Sequence, residues 1–134
     1  AAALAVIAAY AANSDTDPDG VNPAPTVAEY ALAGITGVNA ANLADVNDAV
    51  NAVVGTAADE VPEIQVLVDG EIAEALAVIT AYADNNANPA PTVAQYAAAG
   101  ITGVGTGNLA AVNSAVDAVA GVFRRKIFVL ENMP

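Results

Sequence analysis

Residues Asn22–Gly55 read NPAPTVAEYALAGITGVNAANLADVNDAVNAVVG, and residues Asn88–Gly121 read NPAPTVAQYAAAGITGVGTGNLAAVNSAVDAVAG. The two stretches agree at 25 of 34 positions, at a constant offset of 66. Self-similarity at a fixed period marks a repeat architecture, in which a unit too small to bury its own apolar face relies on its neighbours. Arrays extend length or present surface and seldom house a single catalytic centre. A structural or adhesive role is therefore expected.

Within the copy the apolar spacing is helical. Thr26 precedes a periodic run in which Val27, Tyr30 and Ala31 share a face, and Glu29 stands three residues on, as in a capping box. Gly34 is a natural stop, so a short helix of roughly ten residues is expected, with Ile35 plugging the core from the following turn. Asn42 is expected to cap the next helix by accepting from its free first-turn amides. Leu43, Val46, Val50 and Val53 then form a stripe, repeated as Leu109, Val112, Val116 and Val119. Asp59 or Glu60 opens a third helix with Pro62 in its first turn, where a missing amide costs little. Ile64, Val68, Ile72, Ala75, Ile79 and Tyr82 continue as one seam. A single long helix is expected there, with Gly70 as the place where it would bend.

Ala1–Ala11, AAALAVIAAYA, has the look of the end of a signal peptide. Ala73–Ala83, AEALAVITAYA, shows instead that it is a repeat element, with Leu4, Ile7 and Tyr10 matching Leu76, Ile79 and Tyr82. The chain therefore reads as all-α: tandem small three-helix-bundle repeats joined by a long shared helix. Residues 1–12 are the end of a preceding repeat helix and 13–25 an acidic, proline-containing linker. Residues 26–84 are one complete three-helix repeat, 85–91 a proline linker, and 92–121 the first two helices of a second repeat. Residues 122–134, VFRRKIFVLENMP, break the pattern in charge and aromaticity together. They are either a cloning scar or out-of-frame tail, or a native divergent cap in which Phe123, Ile127, Phe128 and Leu130 replace the missing helix.

Composition narrows the function. Fifteen acidic residues face three basic ones, all at Arg124–Lys126, for a net charge of −12. Such a surface repels nucleic-acid phosphates and anionic lipid, and most simply keeps alanine-rich helices dispersed. No run of about 20 apolar residues is present, so no membrane span is expected. The chain has no cysteine and no histidine, and its only serines are Ser14 and Ser114. Neither a thiol–imidazole nor a hydroxyl–imidazole pair can be assembled, so no enzyme is expected and no cofactor is required. The glycine-rich stretch 100–108 follows no strand and reads as a loop. The Asn-Pro-Ala-Pro segments at 22–25 and 88–91 read as stiff extended joints rather than proline-rich ligands, because they recur at each repeat boundary.

The sharpest chemical motif is Asp15-Thr-Asp-Pro-Asp-Gly20. D-x-D-x-D-G is the opening half of a calcium loop: Asp15, Asp17 and Asp19 can converge on one cation, Gly20 permits the reversal, and the Val21 carbonyl would add a ligand. The bidentate glutamate expected at position 12 is missing, since Thr26 stands there and Glu29 is three residues late. A solvated acidic loop is the alternative. The two copies also differ here: Tyr10 to Asn22 is 12 residues, Tyr82 to Asn88 only six. Calcium, if bound, would stiffen one junction and is not needed by the repeat itself.

Tyr30…Gly34-Ile35, Asn42-Leu43…Val46…Ala49-Val50 and Glu63-Ile64…Leu67-Val68-Asp69 together resemble the GA-like three-helix repeats of large bacterial surface proteins and adhesins, which are related to albumin-binding GA modules. The resemblance covers about residues 24–69, and 90–121 as two helices of a second copy. It implies a secreted, extracellular array at the bacterial cell surface, often stalk-like, packed against neighbouring repeats of the same chain. The lysine- and tyrosine-rich albumin surface of GA modules has no counterpart here. The expected function is a structural spacer of an adhesin or biofilm protein. The alternatives are a binding module for a host or matrix protein, or self-association into an extracellular filament through alanine-rich faces.

Overall fold

A computed structural model describes residues 2–12, 22–53 and 58–119. All regular structure among them is helical: α1 (Ala2–Ala12), α2 (Val27–Leu32), α3 (Leu43–Ala52), α4 (Val61–Asp84), α5 (Val93–Ala98) and α6 (109–119). The all-α expectation holds. No helix among the described residues is long and apolar enough to cross a membrane. The chain divides into two compact units, Ala1–Ala73 and Glu74–Pro134.

Local chemistry sets the helix ends. Thr26 Oγ1 accepts from the Glu29 amide at 3.3 Å, and Glu29 Oε2 accepts from the Thr26 amide at 2.8 Å, which completes a capping box. The Thr26 backbone N–H, and then its hydroxyl, hold the Glu29 carboxyl below the usual glutamate range. Thr92 and Gln95 repeat the box in the second copy. At the other end Gly34 N–H donates to Ala31 O and Ile35 N–H to Tyr30 O, each at 3.0 Å, with Gly34 at φ +86°. This is the Schellman arrangement, and only glycine adopts that φ without strain. The two caps leave six residues between them. The ten-residue helix expected from the sequence is too long, because the caps themselves take up the rest of the Thr26–Gly34 span.

Asn42 departs from expectation in its chemistry. It stands at the N-cap of α3 but makes no side-chain cap bond. Its Oδ1 accepts from the Asn39 amide at 2.8 Å and its Nδ2 donates to Gly37 O at 2.9 Å. The side chain ties the α2–α3 loop to itself instead of capping the helix. Asn108 makes the same pair of bonds with Gly105 N and Gly103 O.

The core of unit 1 collects Ile7 and Ala11 from α1, Tyr30 from α2, Ile35 from the turn, Val46 and Val50 from α3, and Ala58, Ile64 and Val68 from α4 and its approach. Leu43 and Val53 flank it, as the α3 stripe predicts. α1 packs against both α2 and α3, with Ile7 and Ala11 buried in the core and Leu4 and Tyr10 partly buried against it. α4 is continuous across Gly70, as expected. A Cβ built on Gly70 meets nothing within 4 Å. Gly70→Ala is therefore expected to raise stability by about 1 kcal/mol, the helix-propensity difference alone, with a higher thermal midpoint as the readout.

Candidate functional site

Asp15, Asp17, Asp19 and Val21, the candidate calcium ligands, lie outside the described residues. Among the described residues no group of three or more His, Cys, Asp or Glu side chains stands together as a metal site. Residues 122–134 also lie outside them.

The concentrated polar chemistry inside the fold lies elsewhere, in two equivalent places. Tyr30 is fully buried on α2 and its hydroxyl donates to Asn47 Oδ1 at 2.8 Å. Asn47 lies on the buried side of α3 between Val46 and Val50, and its Nδ2 donates to Pro25 O at 3.0 Å. The second copy repeats this bond for bond: Tyr96 hydroxyl to Asn113 Oδ1 at 2.8 Å, and Asn113 Nδ2 to Pro91 O at 3.0 Å. Each proline carbonyl, which ends an extended joint, is thereby anchored to a helix 22 residues further on. Pro25 and Pro91 are themselves fully buried. A buried carbonyl with no donor would cost about 1–3 kcal/mol, so the asparagine amide fixes where the joint enters the bundle.

The electrostatics suit anchoring rather than proton transfer. Burial, and secondarily the nearby Tyr10, push the Tyr30 phenol far above its ordinary value of 10.0. Burial first and the Asp48 charge second raise Tyr10. Burial first and Tyr82 second raise Tyr96. The phenols stay protonated, and those of Tyr30 and Tyr96 donate. In the unfolded chain each ionises near its ordinary value, so above about pH 10 the unfolded state binds fewer protons than the native state and stability falls as pH rises. Below that value the tyrosines are protonated in both states and contribute no pH dependence. Urea midpoints measured at pH 8, 10 and 11.5 should be flat over the first step and drop over the second. The Tyr30 share is at most about 1.4 kcal/mol per pH unit.

The helical periodicity places Tyr30 on the apolar face of α2 but does not mark Asn47 or Asn113. A signal for them exists. Among the polar positions of α3, Asp45, Asp48 and Asn51 become Ala111, Ser114 and Asp117 in the second copy, while Asn47 keeps its identity as Asn113. Asn51 Oδ1 is buried without a hydrogen-bond partner, whereas Asp117 Oδ2 accepts from Asn86 Nδ2 at 3.2 Å.

The pattern of change between the copies bears on function. Of the nine positions that differ, none that is described in the first copy is buried. The positions that close the interior, Tyr30, Ile35, Asn42, Val46, Asn47 and Val50, are the same residue in both. In the first copy the shared residues hold the bundle and the described differing ones are not buried; in the second, Ala98 at the Leu32 position is buried and Ile101 is 38% exposed. No family model, curated protein or solved structure matches the chain.

Proposed function

We propose that this chain is a structural spacer of a secreted bacterial cell-surface adhesin or biofilm protein, without catalytic activity, built from GA-like tandem three-helix repeats. Each period would contribute two short helices, of the α2 and α3 type, and one long helix shared across the junction, of the α4 type. The observation that carries the reading is that the residues closing the first copy's interior are shared, and the described ones that differ are not buried there. A common ligand site would hold surface residues alike; a scaffold needs only its core, caps and joints to be alike.

The buried polar groups support it. Asn42, Asn47 and Asn113 are the buried polar side chains among the described residues, and all three hold loops or joints in place. The net charge of −12 would keep such an array dispersed and resist collapse of one repeat onto another. Small-angle scattering on tandem arrays of increasing copy number tests the proposal. The maximum dimension should rise linearly with copy number, and a cube-root rise, as for compact particles, refutes the spacer.

The aspartate loop is proposed as a calcium site serving one junction only. Titration of calcium into the protein should then shift the amide resonances of residues 15–21 and raise the thermal midpoint. Neither change in millimolar calcium removes the site.

A further inference from the structure

Unit 1 is built from four parts: α1, α2, α3 and the first part of α4. The described residues of unit 2 repeat three of them. Residues 73–83 of α4 match α1, with Ile79 buried as Ile7 is, and α5 and α6 match α2 and α3. The fourth part closes unit 1 over the α2–α3 loop and α3. Ile64 and Val68 are buried in one core with Ile35, Val46 and Val50. Gln65 grips the loop backbone: Thr36 N–H donates to Gln65 Oε1 and Gln65 Nε2 donates to Thr36 O, both at 3.0 Å. Ile101, Thr102, Val112 and Val116 repeat that receiving face residue for residue.

At the offset of 66 that relates the copies, residues 61–68 fall on residues 127–134. Apolar residues return at the inward positions: Ile127 for Val61, Leu130 for Ile64 and Met133 for Leu67. In unit 1 Ile64 is fully buried, and Val61 and Leu67 pack against the core. Val66, exposed in unit 1, becomes Asn132, so an outward position turns polar. Gln65 becomes Glu131, whose carboxylate keeps an acceptor for the Thr102 amide. Charge agrees with the register. Residues 74–119 carry Glu74, Asp84 and Asp117 and no cation, while Arg124, Arg125 and Lys126 are the only cations of the chain. Opposite charge favours contact between the two.

We propose that residues 127–133 seat on the α5–α6 face of unit 2 in the register that residues 61–67 hold in unit 1, and close the second repeat as its cap. The chain itself delivers this occupant: Leu130 follows Val116 by the same length of chain as Ile64 follows Val50. The register is specific about the native-cap reading of the tail. Ile127, Leu130 and Met133 turn inward, whereas Phe128 takes the exposed position of Pro62. Pro134 takes the position of Val68, from which α4 runs on to Asp84. A proline inside a helix lacks the amide and clashes with the preceding turn. The segment therefore closes unit 2 without continuing as a shared helix in the way α4 does. The inference rests on the correspondence of the two units and is separate from the spacer reading. A linear array with an unseated tail leaves the spacer standing, and a seated tail in compact arrays leaves the cap standing.

The test uses the full chain. Methyl nuclear Overhauser contacts from Leu130 to Ile101, Val112 or Val116 are expected, arising within one chain in a mixture of labelled and unlabelled protein. Leu130→Ala should speed hydrogen exchange of the α6 amides by about 10- to 100-fold, the factor that a buried leucine contributes. Phe128→Ala, a larger truncation, should change them by less than about threefold. Absence of Leu130 contacts to this face overturns the proposal. So does an effect of Phe128→Ala as large as that of Leu130→Ala, which would mean apolar adhesion without register. Contacts that arise between chains in the mixed sample also overturn it, because a second copy is then the occupant.

Discussion

Replacing Asn47 with leucine, which keeps the four-heavy-atom branched skeleton but carries bulkier methyl groups, is expected to destabilise unit 1 by about 2–5 kcal/mol. Two buried groups lose their partners at once: the Tyr30 hydroxyl, which donates to Asn47 Oδ1, and the Pro25 carbonyl, which accepts from Asn47 Nδ2. Each orphaned group costs about 1–3 kcal/mol, because neither can reach water without opening the α2–α3 contact. Leucine fills the space, so a cavity contributes little. The measurement is hydrogen exchange of α2 and α3 amides, which reports unit 1 directly. A second variant separates the causes. Adding Tyr30→Phe to Asn47→Leu removes the orphaned hydroxyl, and about 1–2 kcal/mol should return. If the double variant recovers nothing, the Tyr30–Asn47 bond does not carry the effect.

Truncating Ile64 to alanine should cost about 2–5 kcal/mol, the range for emptying a fully buried isoleucine site. Ile64 has no exposed surface and meets the core made by α1, α2 and α3. Two residues on in the same helix, on its opposite side, Val66 is 69% exposed, so Val66→Ala should change stability by less than about 0.5 kcal/mol. Urea unfolding of the two variants side by side checks both values. Similar losses would mean that the first part of α4 does not close unit 1 through its Ile64–Val68 face.

Much of the helical architecture was legible in residues 22–55 and their copy. Thr26 with Glu29, Gly34 with Ile35, and the valine stripe of α3 each act within a few residues of themselves. Backbone sterics and local hydrogen bonds therefore decide them without reference to the rest of the chain. The errors were of range. α2 came out short because its caps occupy positions that periodicity counts as helix. The sequence favours Asn42 as a cap of the helix ahead of it, although the loop behind it, with Gly37 at φ +90°, offers the carbonyl and amide that it bonds. Asn47 was missed because its partners lie 17 and 22 residues away. Only comparison of the copies marks it, as the polar position on α3 that does not change.

By itself the sequence determined the repeat, the helical class, the caps and turns, and the acidic surface, since each follows from near-neighbour sterics or from composition. The tertiary structure alone decided which surfaces are interior. Ile35 and Ile101 sit in the same local sequence, Ala-Gly-Ile-Thr-Gly-Val, after the same Schellman turn. One is sealed under Ile64, Gln65 and Val68 and the other is 38% exposed. α1 likewise joins the core of unit 1 through Ile7 and Ala11, which its own alanine-rich sequence does not specify. Periodicity marks the face a helix can bury, but how completely that face is covered depends on what arrives from elsewhere in the chain.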